Sequence, residues 1–294
     1  MKNYYKLIFV SYLEYQPTNG AVVVTGATGD MGLAITERLY RAGQPVIIAA
    51  CRQPERMRPY IHNLDVIYPE SPSLIIPARL DLSTAWQARK AAAEIGAMGH
   101  DITAVINNAG VMQIDHTELS PDGFEMSLQV NCISTLAFTL TLLPKLRQGA
   151  AVVMTSSLMR RFPLLRRDFV AKATYATNFA QRFNNYGRSK QILTWAATLL
   201  AERVSYRGIR VNCADPGIVN TPMIRLGYGW VDTIADHIAR PLMSTPMQGS
   251  RAAMQALATP RTSMMATQRT LSPLPSLTAA QTEIATEALR LAIP

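Results

Sequence analysis

Apolar, β-branched runs alternate with longer helical patterns along most of this chain, and a sequence with that rhythm can bury its apolar surface in few ways. The runs Ala21–Thr25, Pro45–Ala50, Leu74–Ala78, Ala104–Asn107, Ala151–Thr155 and Ile209–Cys213 read as strands. Helical stretches fall between them at Asp30–Ala42, Thr84–Ile95, Asp122–Leu146 and Tyr186–Tyr206. Gly43 is placed to end the first helix in the left-handed region, and Ser83 or Thr84 to cap the second. Strands separated by helices pair in parallel and are covered on both faces. The expected fold is therefore α/β, a doubly wound parallel sheet with helices on both faces. Pro69 and Pro72 mark a loop before the third strand. After Pro216 the rhythm changes: Pro222, Pro241 and Pro246 punctuate short helices, and a last helical pattern falls near Ala279–Leu291. No internal repeat interrupts the chain. One domain is expected over residues 20–260, with residues 1–19 as an N-terminal extension and 261–294 as a tail that wraps it.

With 294 residues, 48% hydrophobic and 17% charged, the chain can fill such a core and does not have the composition of a disordered protein. Cys51, Cys132 and Cys213 form no C-x-x-C pair and have no His at ligand spacing. That argues against a disulfide framework and against a metal site, and they read as core residues in a reducing compartment. The apolar run before Ser11 is shorter than a signal-peptide core, and no other stretch reads as long enough and apolar enough to span a bilayer. A soluble, cytoplasmic protein is the expectation. The net charge of +9 is concentrated: from Leu158 to Lys190, Arg160, Arg161, Arg166, Arg167, Lys172, Arg182, Arg188 and Lys190 stand against Asp168 alone. No helix-turn-helix, zinc-finger or RNA-stacking motif accompanies this segment, so no nucleic-acid partner is expected. The four histidines are scattered and receive no chemistry.

The first strand runs into Thr25-Gly-Ala-Thr-Gly-Asp-Met-Gly32 and then a helix. Gly26, Gly29 and Gly32 allow a tight turn and close approach of backbone to a phosphate, and the helix N-terminus offers free N–H groups to a pyrophosphate. Thr28, Asp30 and Met31 complete this candidate cofactor loop. A Rossmann-type dinucleotide site is the reading. NAD recognition would call for an acid at the end of the second strand, to bind the ribose 2′-hydroxyl. Here Ala49-Ala50-Cys51-Arg52 has none, and the Arg52 guanidinium suits a 2′-phosphate. The cofactor expected is NADP(H), with NAD(H) the less favoured option.

Tyr186-Gly-Arg-Ser-Lys190 puts a phenol and an ammonium on one face of a helix, where a neighbouring cation favours the phenolate. Thr25–Gly32, Asn107-Asn-Ala-Gly110, Asn131, Ser156-Ser157, Tyr186-x-x-x-Lys190 and Pro216-Gly217 then stand in the order of the short-chain dehydrogenase/reductase family, which the chain resembles over about residues 20–260. Ala50-Cys51-Arg52, Val111-Met112 after Gly110, and the long gap from Ser157 to Tyr186 resemble the retinol dehydrogenase and protochlorophyllide reductase-like group. The resemblance implies that Tyr186 is the general acid for carbonyl reduction and the base for alcohol oxidation. It implies that Lys190 binds the nicotinamide ribose and lowers the Tyr186 pKa, and that Ser157, with Ser156 as the alternative, positions the substrate oxygen. Asn131 would hold a water in the proton relay. Asp81 and Leu82 would contact the adenine, Asn107, Asn108, Ala109 and Gly110 would line the cofactor, and Pro216, Gly217, Val219 and Thr221 would hold its nicotinamide end.

Two departures stand out. The family's usual turn is T-G-x-x-x-G-x-G; here its middle glycine is replaced by Asp30, and Gly29 stands one place earlier. An aspartate beside a pyrophosphate costs affinity unless it caps the helix, and the cap is the reading favoured. The second is the basic insertion over residues 158–185, where paired arginines alternate with Phe162, Leu164, Leu165 and Phe169. It fits a lipophilic substrate, and its charges fit an acidic group, a peripheral membrane contact or a solvated face. Residues 223–249 fall where the family places a substrate lid. The expected function is an NADP-dependent oxidoreductase acting on an apolar small molecule. The rivals are a non-catalytic dinucleotide sensor of the same fold and a reductase of a carbon–carbon double bond in a pigment-like substrate. Oligomeric state is left open.

Overall fold

A computed structural model of the chain describes residues 8–9, 14–113, 118–162, 179–220 and 243–293. Among these, the strands are β1 (Ile8–Phe9), β2 (Ala21–Thr25), β3 (Val46–Cys51), β4 (Leu74–Arg79), β5 (Ile102–Asn107), β6 (Leu146–Thr155), β7 (Arg210–Ala214), β8 (Met264–Ala266) and β9 (Thr270–Pro273). They form one nine-stranded sheet in the order β1-β9-β8-β7-β6-β5-β2-β3-β4. From β4 to β8 every pairing is parallel, and β9 and then β1 close that edge by antiparallel pairing. Edge position explains Pro77 inside β4, since a strand with a free side tolerates the missing N–H.

The helices are α1 (Asp30–Arg41), α2 (Arg58–Ile67), α3 (Ala85–Gly96), α4 (Met126–Leu128), α5 (Thr135–Leu142), α6 (Phe179–Val204), α7 (Pro246–Ala258) and α8 (Ala279–Ala292). Their ends follow local chemistry. Gly43 takes φ +78° just past α1, and the Thr84 side chain accepts from the Gln87 N–H at 3.2 Å to cap α3. Two capping boxes, Thr245 with Gln248 and Thr278 with Gln281, start α7 and α8. One buried cluster lies under α3, α5, α6 and α8, and a second under α1, α2 and α7, so each sheet face has its own apolar layer.

Three expectations are corrected. The single helix over Asp122–Leu146 is instead α4, a π-helical stretch Gln129–Ser134, and α5. It starts later because Gly123 takes φ +83° and Glu125 is the cap, accepting from the Leu128 N–H at 3.0 Å. α6 begins at Phe179, so Tyr186 sits inside the helix and not at its start. The tail does more than wrap the fold: β8 and β9 extend the sheet, and α8 packs Ala285, Ala288, Leu289 and Ala292 into the cluster beneath α5 and α6. Leu289 is buried. Leu289→Ala should therefore destabilise the protein by about 2–5 kcal/mol in a denaturant melt, whereas a loose tail would lose almost nothing.

Candidate active site

β2 and β5 are neighbours at the point where the chain reverses its travel across the sheet, with β3 and β4 on one side and β6 to β8 on the other. Loops leaving the C-terminal ends of such strands diverge and open a crevice. The segments after β2, β5, β6 and β7 carry most of the residues singled out by the motifs.

The turn after β2 is built by contact. Gly26 takes φ +66°, and a Cβ there would lie 2.8 Å from the Ala109 Cα; a Cβ on Gly32 would lie 2.1 Å from the Gly26 carbonyl oxygen. The Asn108 amide donates to the Thr25 carbonyl at 3.1 Å, and the Ala109 N–H donates to the Thr25 hydroxyl at 3.0 Å, which locks the β2 and β5 loops together. Gly29 meets only the Gly26 oxygen, at 3.5 Å. It is the N-cap of α1 and provides no side-chain cap, and among the described residues no side chain is seen to take the first N–H groups of that helix. Asp30 is therefore not the cap: it is the first helical residue and is exposed. Its carboxylate stabilises the helix start by charge while opposing an anion there.

Thr28 hydrogen-bonds the Cys51 thiol, and the Ala27 N–H donates to the Ala50 carbonyl at 3.3 Å, so the end of β3 and the exposed Arg52 that follows stand beside the turn. Burial pushes the Cys51 thiol up, and the Thr28 bond opposes the shift. Asp81 binds the Ser83 N–H at 2.8 Å, and Leu82 is buried. Met31 packs against Gly249 of α7 together with Val219; a Cβ on Gly249 would lie 2.9 Å from the Met31 sulfur and 2.6 Å from Val219.

Across the crevice, the two serines separate. Ser156 is turned inward and pairs with the Thr194 hydroxyl at 2.8 Å, whereas Ser157 hydrogen-bonds the Tyr186 phenol. Lys190 donates to the Thr155 carbonyl at 2.8 Å, and its Nζ stands 6.0 Å from the centre of the Tyr186 ring. A Cβ on Gly110 would lie 3.2 Å from that Nζ and 3.2 Å from the Asn131 Oδ1, so the three meet closely. Asn107 points away, donating to the Thr139 hydroxyl at 3.0 Å.

Asn131 lies in the π-helical stretch, and its side chain is committed to protein. Its amide donates to the Val111 carbonyl at 2.9 Å and to the Ser189 hydroxyl at 3.0 Å, while its oxygen accepts from the Val111 N–H at 2.8 Å. The side chain is a clasp on the Gly110–Val111 loop, and both its amide hydrogens are taken by protein acceptors.

The ionisation states differ from expectation as well. Desolvation raises the Tyr186 phenol above its ordinary value, the Asp215 charge adds to the rise, and the Ser157 hydrogen bond opposes it. Burial also drives the Lys190 ammonium down, to about 8.

The segment after β7 carries Asp215, Pro216 and Gly217. Gly217 takes φ +73° and donates its N–H to Asp215 at 3.0 Å, and Gln268 donates to the Pro216 carbonyl at 2.5 Å. Val219 pairs with Ser244. Thr221 and residues 223–242 of the expected lid lie outside the described residues, as do 163–178 of the basic insertion. Of the cations counted from Leu158 to Lys190, Arg160, Arg188 and Lys190 are buried or nearly so, and Arg160 pairs with Asp215, so these three do not belong to a solvated face. The motifs did not single out Asp215, Arg160, Thr155 or Ser189. The signal for Asp215 was an acid directly before Pro216-Gly217.

The crevice fits a dinucleotide. Among the described residues it has a helix N-terminus with no side-chain cap behind a glycine turn, a cation at the site where Gly110 removes a side chain, and a buried Thr155 hydroxyl with no hydrogen-bond partner.

With this geometry in hand, the comparisons are specific. A family model described as enoyl-(acyl carrier protein) reductase matches residues 26–271. The chain is 30% identical to mouse polyprenol dehydrogenase over 255 residues, covering 83% of this chain and 73% of that protein. It is 30% identical to mouse retinol dehydrogenase 12 over 210 residues, covering 70% of this chain and 64% of that protein. Among solved structures, an NADPH-bound short-chain oxidoreductase from Pseudomonas aeruginosa superposes with a TM-score of 0.65 at 22% identity, covering 86% of this chain and 96% of that one. The protein belongs to the short-chain dehydrogenase/reductase family, a family of oxidoreductases that use a nicotinamide dinucleotide, and within it resembles the retinol dehydrogenases.

Among the described residues one stretch, Met126–Lys145, is long and apolar enough to cross a membrane, contrary to expectation; it is mostly buried within the fold.

The buried Lys190 generates a prediction. With a folded pKa near 8 against an unfolded value near 10.5, the folded state binds fewer protons between those values, so this group's contribution to stability rises with pH across that window. Lys190→Met should gain most in melting temperature, relative to the wild type, at pH 6.5, and the difference should shrink by pH 10. A difference independent of pH would show that the ammonium is not desolvated.

Proposed function

We propose that this protein is an NADP(H)-dependent oxidoreductase that interconverts a carbonyl and an alcohol on a lipophilic small molecule, with Tyr186 moving the proton. The observation that carries the reading is the Tyr186 phenol hydrogen-bonded to Ser157, with the Lys190 ammonium and Gly110 beside them at the crevice. When bound, the nicotinamide supplies or accepts hydride. The protein residues handle orientation and the proton. Ser157 holds the substrate oxygen against the phenol; Tyr186 donates to that oxygen in reduction and accepts from the hydroxyl in oxidation. A phenol pushed upward is protonated at neutral pH, which suits the donor role. Lys190 reaches toward the space opened by Gly110, where a ribose hydroxyl would meet it. Asn131 keeps that loop in register through Val111.

NADP(H) is preferred because the end of β3 offers an exposed guanidinium, Arg52, and no acid. A lipophilic substrate is supported by the names of the mouse relatives and by Phe162 and Ile218, which are 66% and 50% exposed on the segments that follow Ser157 and Gly217. Asp30 favours the rival reading of a dinucleotide sensor, since its carboxylate stands at the phosphate end of α1. A sensor, however, has no use for a Ser157–Tyr186 pair.

Purified protein should oxidise NADPH in the presence of a member of a panel of long-chain aldehydes and ketones. Tyr186→Phe should lower that turnover by about 10²–10⁴-fold while NADPH binding, followed by fluorescence, stays nearly as tight. Unchanged turnover overturns the mechanism. Arg52→Ser should weaken NADPH binding about tenfold or more, about 1.4 kcal/mol, and leave NADH binding as it was. Equal effects on the two cofactors would remove the basis for NADP(H).

A further inference from the structure

Arg160 and Asp215 form a buried ion pair between the two segments that flank Tyr186. Their side chains are 11% and 5% exposed. Arg160 follows Ser157 in a short 3₁₀ turn, Leu158–Arg161, and the same Nη1 that pairs with Asp215 also donates to the Ser157 carbonyl at 2.8 Å. The Arg160 carbonyl accepts from the Gln191 amide of α6 at 2.9 Å. Asp215 leaves the end of β7, where its N–H donates to the Ala266 carbonyl of β8 at 2.7 Å, and its other carboxylate oxygen holds the Gly217 N–H at 3.0 Å. One continuous chain of bonds therefore runs from the Ser157 backbone through Arg160 and Asp215 to Gly217.

A buried ion pair is an expensive way to join two loops. Desolvation of both charges commonly cancels their attraction, and apolar residues of like volume often serve stability as well. What the pair provides here is position and charge. It fixes the distance between the Ser157 arm and the Pro216–Gly217 turn, and it sets a neutralised carboxylate beside the phenol, where an unpaired one would oppose ionisation.

Resting on the reading of Tyr186 as acid and base, we propose that Arg160 and Asp215 are positioning residues for the reaction: together they tie the Ser157 arm to the Gly217 turn, and Arg160 neutralises the one carboxylate joined to both. Asp215, just after β7, bears on Tyr186 by its charge, Arg160 from the turn after β6 pairs with that carboxylate, and the Lys190 ammonium of α6 stands 6.0 Å from the ring; the thiols of Cys132 and Cys213, both held up to about 12 by burial, stay neutral. Asp215 already raises the phenol with its partner in place.

The test needs no substrate. In full-length protein with tyrosine carbon-13 labelled at Cζ, the Tyr186 resonance is assigned by its loss in Tyr186→Phe and followed against pH, with folding checked by thermal melts. Arg160→Gln should move the Tyr186 midpoint up, and Asp215→Asn should move it down, each by about one pH unit for charges this close at a partly buried site. The double variant should return toward the wild type. Arg160→Lys keeps the charge and should leave the midpoint in place, and it serves as the folded control if Arg160→Gln unfolds. Midpoints that stay put, or that move the same way in both single variants, overturn the proposal. Failure of the enzymatic reading is separate: it appears as wild-type turnover in Tyr186→Phe, whatever the titration gives.

Discussion

A buried ammonium sets the terms for the active site. Lys190 is nearly inaccessible, and among the described residues one protein acceptor, the Thr155 carbonyl, takes one of its three hydrogens. A Cβ on Gly110 would lie 3.2 Å from the ammonium, so the missing side chain leaves space beside its remaining donors. That space explains several other features. Gly110 cannot acquire a Cβ without pressing on the ammonium. Asn131 must hold the following residue by two bonds, because a loop that drifted would fill the space. The π-helical stretch gives Asn131 its position facing both Val111 and Ser189, and Ser189 donates in turn to the Tyr186 carbonyl at 2.7 Å. Lysine, clasp and tyrosine are thus one bonded unit across α6 and the π-helix.

Much of the sheet was legible in the sequence because its strands are buried on both faces. Ala21–Thr25 is inaccessible or nearly so throughout, and a run with no polar face has few places to go. The predicted strands from Ala21 to Cys213 all appear, with ends displaced by a few residues. β8 and β9 escaped because three or four residues carry no periodicity. Pro246 reads as punctuation in a segment of short helices, whereas it opens the 13-residue α7. Yet Thr245-Pro-Met-Gln248 is a capping box with proline in the first turn, where its missing N–H does no harm, and that signal could have given the helix its start.

The candidate site was legible wherever a residue type and its spacing were tied to chemistry. The glycine turn, Tyr186, Lys190, Ser157 and Asn131 all converge at the C-terminal edge of the sheet. Charge tallies were a poorer guide. Counting cations from Leu158 to Lys190 treated Arg160 and Lys190 as members of one surface feature, although one is paired with Asp215 and the other is the central cation of the crevice. A linear count cannot tell a solvated arginine from one whose partner lies 55 residues away. Asp30 failed for the opposite reason: the Asp type suits a cap, but Gly29 occupies the capping position, and a helix has room for one N-cap.

Polar atoms that cost stability are gathered at one end of this fold. Lys190, the Arg160–Asp215 pair and the Thr155 hydroxyl are withdrawn from water beside the C-terminal strand ends, with Tyr186 half-buried on the same helix as Lys190, where a protein selected for stability alone would place apolar groups. The compensation lies farther down the strands, in the two apolar layers and in α8, which adds buried contacts to the face carrying α5 and α6. Because α6 spans both regions, its apolar residues from Ile192 to Val204 anchor the helix in the core while Tyr186 and Lys190 are held out over the crevice. Packing at one end of a helix thereby supplies the rigidity that the desolvated groups at the other end require.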